Sequence, residues 1–249
     1  MAEPVALVTG GARGIGRGVA LALAGAGYDV GVGFRDNRAG ADEVAEAIRA
    51  MGRKCGTYPI DLSRAENGER LVRQCVEDLG RLDVLVANAA TLIATPFLET
   101  TPGEFDLQND VNVRGSYFVV QAAARQMVAD GIPGRIVVVT SEAAVRSYDD
   151  LSVYAMTKAA QRMLVESAAR ELARYRITVN AVAPGTTETD MNREALSDPD
   201  RREALLGSIL LGRPGAPGDV ANAVLFLTAE GSSFITGATI AVDGGAAIH

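Results

Sequence analysis

The chain has 249 residues, 48% of them hydrophobic, and a net charge of −7 at neutral pH. That length and apolar content suit one α/β domain with a sizeable core and exclude a disordered chain. The acidic balance, with no run of Lys or Arg, repels nucleic acid and anionic membrane, so neither is expected as a main partner. Short apolar runs then alternate with helical patterns. Val5–Val8 reads as a strand and Gly14–Ala24 as a helix; Val30–Phe34 is a strand and Ala41–Met51 a helix; Gly56–Ile60 is a strand and Ala65–Leu79 a helix. Val84–Ala87 is a strand, followed by a long helical stretch over Phe105–Ala129 and a buried β-branched strand at Arg135–Thr140. Ser152–Arg174 is a helix, Thr178–Val182 a strand, Val220–Leu227 a helix and Thr239–Val242 a last strand.

Repeated β-α units predict a parallel sheet with helices on both faces, and right-handed crossovers leave a doubly wound sheet, a Rossmann fold, as the simplest topology. With no linker, low-complexity segment or repeat, one domain over residues 1–249 is expected. Thr186–Gly212 breaks the rhythm after a strand, carries Asp198-Pro199-Asp200, and reads as an inserted flap placed to cover a substrate.

The opening MAEPVALVTG has no basic start followed by an apolar stretch, and no apolar run reaches the ~20 residues that span a bilayer, so a cytoplasmic protein is expected. Cys55 and Cys75 lie among apolar neighbours and are expected to be reduced and packed as small hydrophobes. The only histidine is the last residue, His249. A Ser-His-Asp hydrolase, a His general base and a zinc-dependent dehydrogenase are thereby excluded, and acid/base work falls to Tyr, Lys, Asp or Glu.

Thr9-Gly10-Gly11-Ala12-Arg13-Gly14-Ile15-Gly16 follows the first strand and opens the first helix. Glycines let the backbone approach a pyrophosphate, while free N–H groups and the helix dipole favour the anion. The spacing is Gly-x3-Gly-x-Gly, and glycines alone also serve a tight turn with close packing; position after the first strand favours a dinucleotide. The second strand ends Phe34-Arg35-Asp36. Arg35 and Arg13 together suit a clamp on a 2′-phosphate, so NADP is expected over NAD; Asp36, one residue late for the ribose, keeps NAD open.

Tyr154 and Lys158 are four residues apart in a helix and share a face. A free phenol titrates near ~10, and an adjacent ammonium favours the phenolate. Alone, Tyr-x3-Lys is commonly a surface contact. Ser141, 13 residues before Tyr154 at the end of a buried strand, adds a hydroxyl able to bond a substrate oxygen, although Ser there also serves as a cap.

With Asp61-Leu62 after the third strand, Asn88-Ala89 after the fourth, Asn112 in the long helix, Asn180, Pro184-Gly185, Thr189, Leu211-Gly212-Arg213-Pro214-Gly215 and Val242-Asp243-Gly244-Gly245, the chain resembles the short-chain dehydrogenase/reductases over nearly its whole length. The resemblance implies that Tyr154 is the acid/base and that Ser141 orients the carbonyl or alcohol oxygen. Lys158 would hold the nicotinamide ribose and lower the Tyr154 pKa, and Asn112 would support a water linking Lys158 to solvent. Gly10, Gly14, Ile15 and Gly16 of the turn, with Arg13 and Arg35 if these are not ordinary surface arginines, are expected on the cofactor phosphates, and the resemblance places Asp61 and Leu62 by the adenine. Asn88 and Ala89 would line the cofactor, with Pro184, Gly185, Thr187 and Thr189 at its nicotinamide end. The enoyl reductases of the superfamily use a longer Tyr–Lys gap, so double-bond reduction is disfavoured. Two positions depart from the pattern. Ala90 replaces the usual Gly after Asn88-Ala89, which would crowd the backbone if φ there is positive, and Ala12 replaces a Ser of many NADP-binding relatives.

A ketone/alcohol oxidoreductase of the 3-oxoacyl-[acyl-carrier-protein] reductase type is expected, with a sugar or polyol dehydrogenase as the rival on the same skeleton. The alternative of another class is a non-catalytic dinucleotide-sensing protein, against which the intact Ser141, Tyr154 and Lys158 argue. The pocket would be lined by Ala90–Ile93, Glu142–Asp150 and the flap. Alanines 122–124, 155, 159 and 160 give two helices narrow faces, and the resemblance implies a homotetramer built there. Asp149-Asp150 is expected to cap the helix of Tyr154, and Met156, Met163 and Met191 to pack inside.

Overall fold

The computed structural model describes residues 3–190, 192 and 197–248. Seven strands form one parallel sheet in the order β3-β2-β1-β4-β5-β6-β7. They are β1 Val5–Thr9, β2 Asp29–Phe34, β3 Cys55–Pro59, β4 Val84–Ala87, β5 Arg135–Val139, β6 Thr178–Pro184 and β7 Thr239–Val242. The helices are α1 Gly14–Gly25, α2 Arg38–Ala50, α3 Glu66–Leu79, α4 Pro102–Gln108, α5 Ser116–Ala129, α6 Ser152–Leu172, α7 Pro199–Gly207 and α8 Pro217–Thr228.

The central strands β1, β4 and β5 are apolar at every position but the ends Thr9 and Arg135, because both faces are covered. Side chains alternate across β1: Val5 and Leu7 enter the core under α3, α5 and α6, while Ala6 and Val8 enter the core under α1, α2 and α8. Leu23 of α1 and Met127 of α5 are fully buried in their respective cores. Truncating either to Ala removes a side chain from a packed layer, at roughly 2–5 kcal/mol. The chain reverses direction of winding between β1 and β4, which pair through Val8 and Val86. Loops leaving the C-terminal ends of these two strands diverge there and open the crevice in which such sheets bind ligands.

The long helical stretch expected over Phe105–Ala129 is three pieces. α4 starts earlier, at Pro102, behind a capping box in which Thr101 and Glu104 bond each other's backbone N–H. A π-helical turn, Asn109–Gly115, then precedes α5. The Thr186–Gly212 segment contains α7, whose Pro199 stands at the first helical position after Asp198. Asp149 and Asp150 do not cap α6. The cap position is Leu151, without a side-chain bond, and Asp150 instead has φ +61° and offers its carbonyl to Thr95 N. Both cysteines are free, Cys75 in the core and Cys55 half-buried. No helix among the described residues is long and apolar enough to cross a membrane.

Candidate active site

The β1–α1 turn is built for close backbone approach. Gly10 has φ +65°, and a Cβ at Gly16 would stand 2.2 Å from Gly10 O and 2.5 Å from Asn88 Nδ2. Asn88 pins this turn: its Nδ2 donates to Thr9 O at 2.9 Å and Gly10 O at 3.3 Å. Thr9 Oγ1 accepts from the N–H groups of both Asn88 and Ala89. Arg13 occupies the cap position of α1 with no side-chain cap bond, so the first-turn N–H groups receive no cap from it. A pyrophosphate is the acceptor that such a bare, glycine-lined helix start suits. Ile15 packs against the core below, and Thr189 lies 3.3 Å from where a Gly14 Cβ would be, bringing the start of the flap onto the glycine turn.

Asp61 is half-buried; its Oδ1 accepts from Ser63 N and its carbonyl from Asn67 Nδ2, which shapes the loop after β3, and Leu62 is buried beside Gly115. Pro184 ends β6, and Gly185 donates to Val242 O. Thr187 is buried, with its hydroxyl on Gly185 O and its backbone bridged to Gly215. Asn180 ties β6 to the stretch before β7 through Ile235 O and Ala238 N. Ala90 is accommodated without crowding, as its φ is not positive: the only described non-glycine residues with positive φ are Asp150 and Arg176. At the end of β2, Arg35 and Asp36 pair with each other in solvent, and Arg13 is exposed.

Ser141 follows β5 and caps a 3-10 turn, Glu142–Ala144, its Oγ accepting from Ala143 N at 3.1 Å. The two readings of Ser141 are therefore compatible: with a lone pair used by the cap, the O–H is left to donate. Ser141 lies close enough to the Tyr154 phenol to lower its pKa. Lys158 Nζ lies 5.5 Å from the Tyr154 ring centroid and donates to Val139 O at 3.0 Å and Gln161 Oε1 at 2.9 Å.

Burial governs the titration of this pair. It pushes the Tyr154 phenol up to about 12, with Ser141 pulling down and Glu142 adding to the rise. It pushes the Lys158 ammonium down to about 7. The lowering of Tyr154 expected from Lys158 is thus reversed in the protein alone, because desolvation disfavours the charged form of each group and the ammonium is directed at Val139 O and Gln161.

Asn112 is fully buried. Its side chain exchanges two bonds with the Thr91 backbone and donates to Thr157 Oγ1 at 3.0 Å, so it fastens the loop after β4 to α6. Sequence reasoning missed three polar groups beside it. Gln161 lies in the core of the site, and Gln108 holds the same loop through the Ile93 backbone. The capping box ahead of α4 was the only available signal for that helix start; a buried Gln carries none. The third is Glu142, within the segment expected to line the pocket. It is buried against Gly185, with Oε2 lacking a hydrogen-bond partner among the described residues. The Tyr148 hydroxyl faces it without closing a bond of normal geometry, and burial raises the Glu142 pKa.

Comparison with known proteins bears on this geometry. A family model described as enoyl-(acyl carrier protein) reductase matches residues 10–247. The L-rhamnose 1-dehydrogenase (NAD(P)(+)) of Azotobacter vinelandii is 40% identical over 247 residues, 98% of this chain and 96% of that one. The chain belongs to the short-chain dehydrogenase/reductase family. The L-xylulose reductase of Mesocricetus auratus is 40% identical over 96% of this chain and 95% of its own. Among solved structures, the acetoin dehydrogenase of Salmonella typhimurium superposes with a TM-score of 0.90 at 35% identity, over 99% of this chain and 96% of that one. This member of the short-chain dehydrogenase/reductase family is an NAD(P)-dependent oxidoreductase acting on CH–OH groups.

Proposed function

We propose that the chain is a sugar or polyol dehydrogenase in which Tyr154 transfers the proton. The observation that carries the chemistry is the Ser141–Tyr154–Lys158 arrangement at the end of β5. Two relatives named for L-rhamnose and L-xylulose favour a polyhydroxylated substrate over the acyl-carrier-protein thioester expected from the sequence. Glu142, a buried carboxyl one residue from Ser141, supplies a polar wall suited to hydroxyl groups.

A nicotinamide cofactor, when bound, would supply or take the hydride. The residues do the rest. In the reducing direction Tyr154, with its pKa near 12, carries the proton that goes to the developing alkoxide, and in the oxidising direction it takes that proton from the alcohol. Ser141 donates to the same oxygen as its charge grows, from a position its cap bond has already set. Lys158 holds the nicotinamide ribose, with Asn112 supporting it. Gly10, Gly14, Ile15, Gly16 and Arg13 take the pyrophosphate, Asp61 and Leu62 the adenine, and Asn88 and Ala89 the middle of the cofactor. Pro184, Gly185, Thr187 and Thr189 take its nicotinamide end.

NADP is the proposed cofactor. The exposed Arg35–Asp36 pair contributes at most about 1 kcal/mol, so a doubly charged 2′-phosphate can draw Arg35, with Arg13, away from it. The chain is read as one dinucleotide-binding and catalytic domain with residues 186–212 as the substrate flap.

A homotetramer is also proposed, on a revised basis. Ala122, Ala123 and Ala124 are buried against their own sheet and offer no face. Tyr117 and Phe118 of α5 and Met156 and Met163 of α6 are exposed, contrary to the internal packing expected of the two methionines; Met191 lies outside the described residues. On α6 the two methionines stand in the same helix as the small residues Ala155, half-buried, and Ala159, exposed, and Phe226 and Phe234 are exposed as well. Light scattering should return four times the chain mass; a monomer overturns this.

Initial rates with L-rhamnose, L-xylulose, acetoin and an acetoacetyl thioester, each with both cofactors, test the assignment. A kcat/KM for a sugar above that for the thioester is expected, and the reverse ranking rejects it. The acetoin dehydrogenase likeness favours a second reading, a small hydroxyketone, which the same screen scores.

A further inference from the structure

Gln161 is 1% exposed and every polar group of its amide is used. Oε1 accepts from Lys158 Nζ at 2.9 Å, while Nε2 donates to Asn112 O at 2.8 Å and Ser116 Oγ at 2.6 Å. Two features of the fold produce this. Position 161 lies three residues after Lys158, on the face of α6 that packs against the π turn. At the end of the π turn Ser116 N–H donates to Val113 O, not to the Asn112 carbonyl four residues back, and the Asn112 carbonyl meets Gln161.

We propose that Gln161 is a positioning residue of the redox site, which holds Lys158 in place for Tyr154 and the nicotinamide ribose by a fixed side-chain link to Asn112. A neutral amide accepts through oxygen and donates through nitrogen, so with both ends bonded Gln161 fixes the position of Lys158 Nζ. An ammonium has three N–H groups. Val139 O and Gln161 Oε1 take two, leaving the third for the crevice.

Both partners are acceptors, so they favour the charged amine and oppose the burial that lowers it. On the elements packed against α6, the buried titratable groups are Tyr154 and, on the 3-10 turn, Glu142. β6 carries none; Asp110 and Arg114 of the π turn pair with each other, Glu104 of α4 is held by Thr101 and Thr95, and Asp106, Tyr117, Arg125, Arg174 and Tyr175 are exposed. None of these is a cause of the Lys158 shift.

The inference rests on the Tyr154–Lys158 assignment above, and the test separates the two. NADPH affinity is read by nicotinamide fluorescence from pH 5 to 10 in the full chain, alongside thermal unfolding. Wild-type affinity should fall as Lys158 loses its proton, and Lys158→Met should abolish that dependence; a dependence that persists overturns the inference, since Lys158 would not be its source. In Gln161→Met, close in volume, the midpoint should move down by about one pH unit, the loss of one bond to a charged donor. In Gln161→Glu, whose carboxylate faces the ammonium, it should move up. An unmoved midpoint in folded Gln161→Met, or shifts of the same sign in both variants, overturns the role of Gln161. If Gln161→Glu does not fold, Gln161→Met decides alone. Normal turnover in Tyr154→Phe would instead remove the mechanism while leaving these midpoints interpretable.

Discussion

At the β5–α6 end of the crevice, Tyr154 and Lys158 are sealed in a network that reaches Asn112, Ser116 and Gln161. At the β2 end, Arg13, Arg35 and Asp36 stand in solvent. The same kinds of charged group therefore behave differently. In the first region desolvation moves Tyr154 up to about 12 and Lys158 down to about 7. In the second, water screens the Arg35–Asp36 pair, and a change of partner there is energetically cheap. Proton transfer is assigned to the region where burial sets ionisation, and cofactor choice to the region where charge can be exchanged without disturbing the fold.

Breaking the buried end should have the largest effect. Tyr154→Phe is expected to lower kcat by roughly 10²–10⁴-fold with cofactor affinity nearly intact, measured by steady-state rates and fluorescence titration. Ser141→Ala should lower kcat by about 10²-fold; a variant within about twofold of wild type would remove Ser141 from the oxygen site. At the exposed end, Arg35→Asp should weaken NADPH by about tenfold or more and NADH far less, since a guanidinium is replaced by a like charge facing the 2′-phosphate. Equal losses for the two cofactors would refute the clamp.

Stability should sharpen the contrast further. Lys158 titrates lower in the folded chain than its ordinary 10.5, so the penalty for burying its charge is fully present below about pH 7 and fades as pH rises toward 10.5. Lys158→Met should consequently raise Tm more at pH 6 than at pH 10, at about 2–4 °C per kcal/mol. The opposite order would show that burial does not dominate at this lysine. Arg35→Ala should shift Tm by no more than about 2 °C at either pH, the smallest effect of the series.

How far the sequence could be read follows the same division. The strands stand out because a parallel sheet buried on both faces needs unbroken apolar runs such as Val5–Val8 and Ile136–Val139. The candidate acid/base residue stands out because the chain has one histidine, at its end. The start of α4 was also written locally, in Thr101-Pro102-Gly103-Glu104, a capping signal that the apolar pattern beginning at Phe105 obscured. The Met156 and Met163 faces were misread because a helical period places apolar residues on one side without saying whether their cover is the same chain.

By itself, the sequence determined the order of β-α units, the glycine turn after β1, and Tyr154 as the proton-transfer candidate, since each rests on residues near in the chain or on elimination. Only the tertiary structure decided the ionisation of that site. Asn112, Val139, Lys158 and Gln161 come from three separate elements, and the bonds among Lys158, Gln161 and the two backbone carbonyls exist only once α6 packs against β5 and the π turn. Desolvation depends on what surrounds a group in space, and that does not follow from its neighbours in sequence.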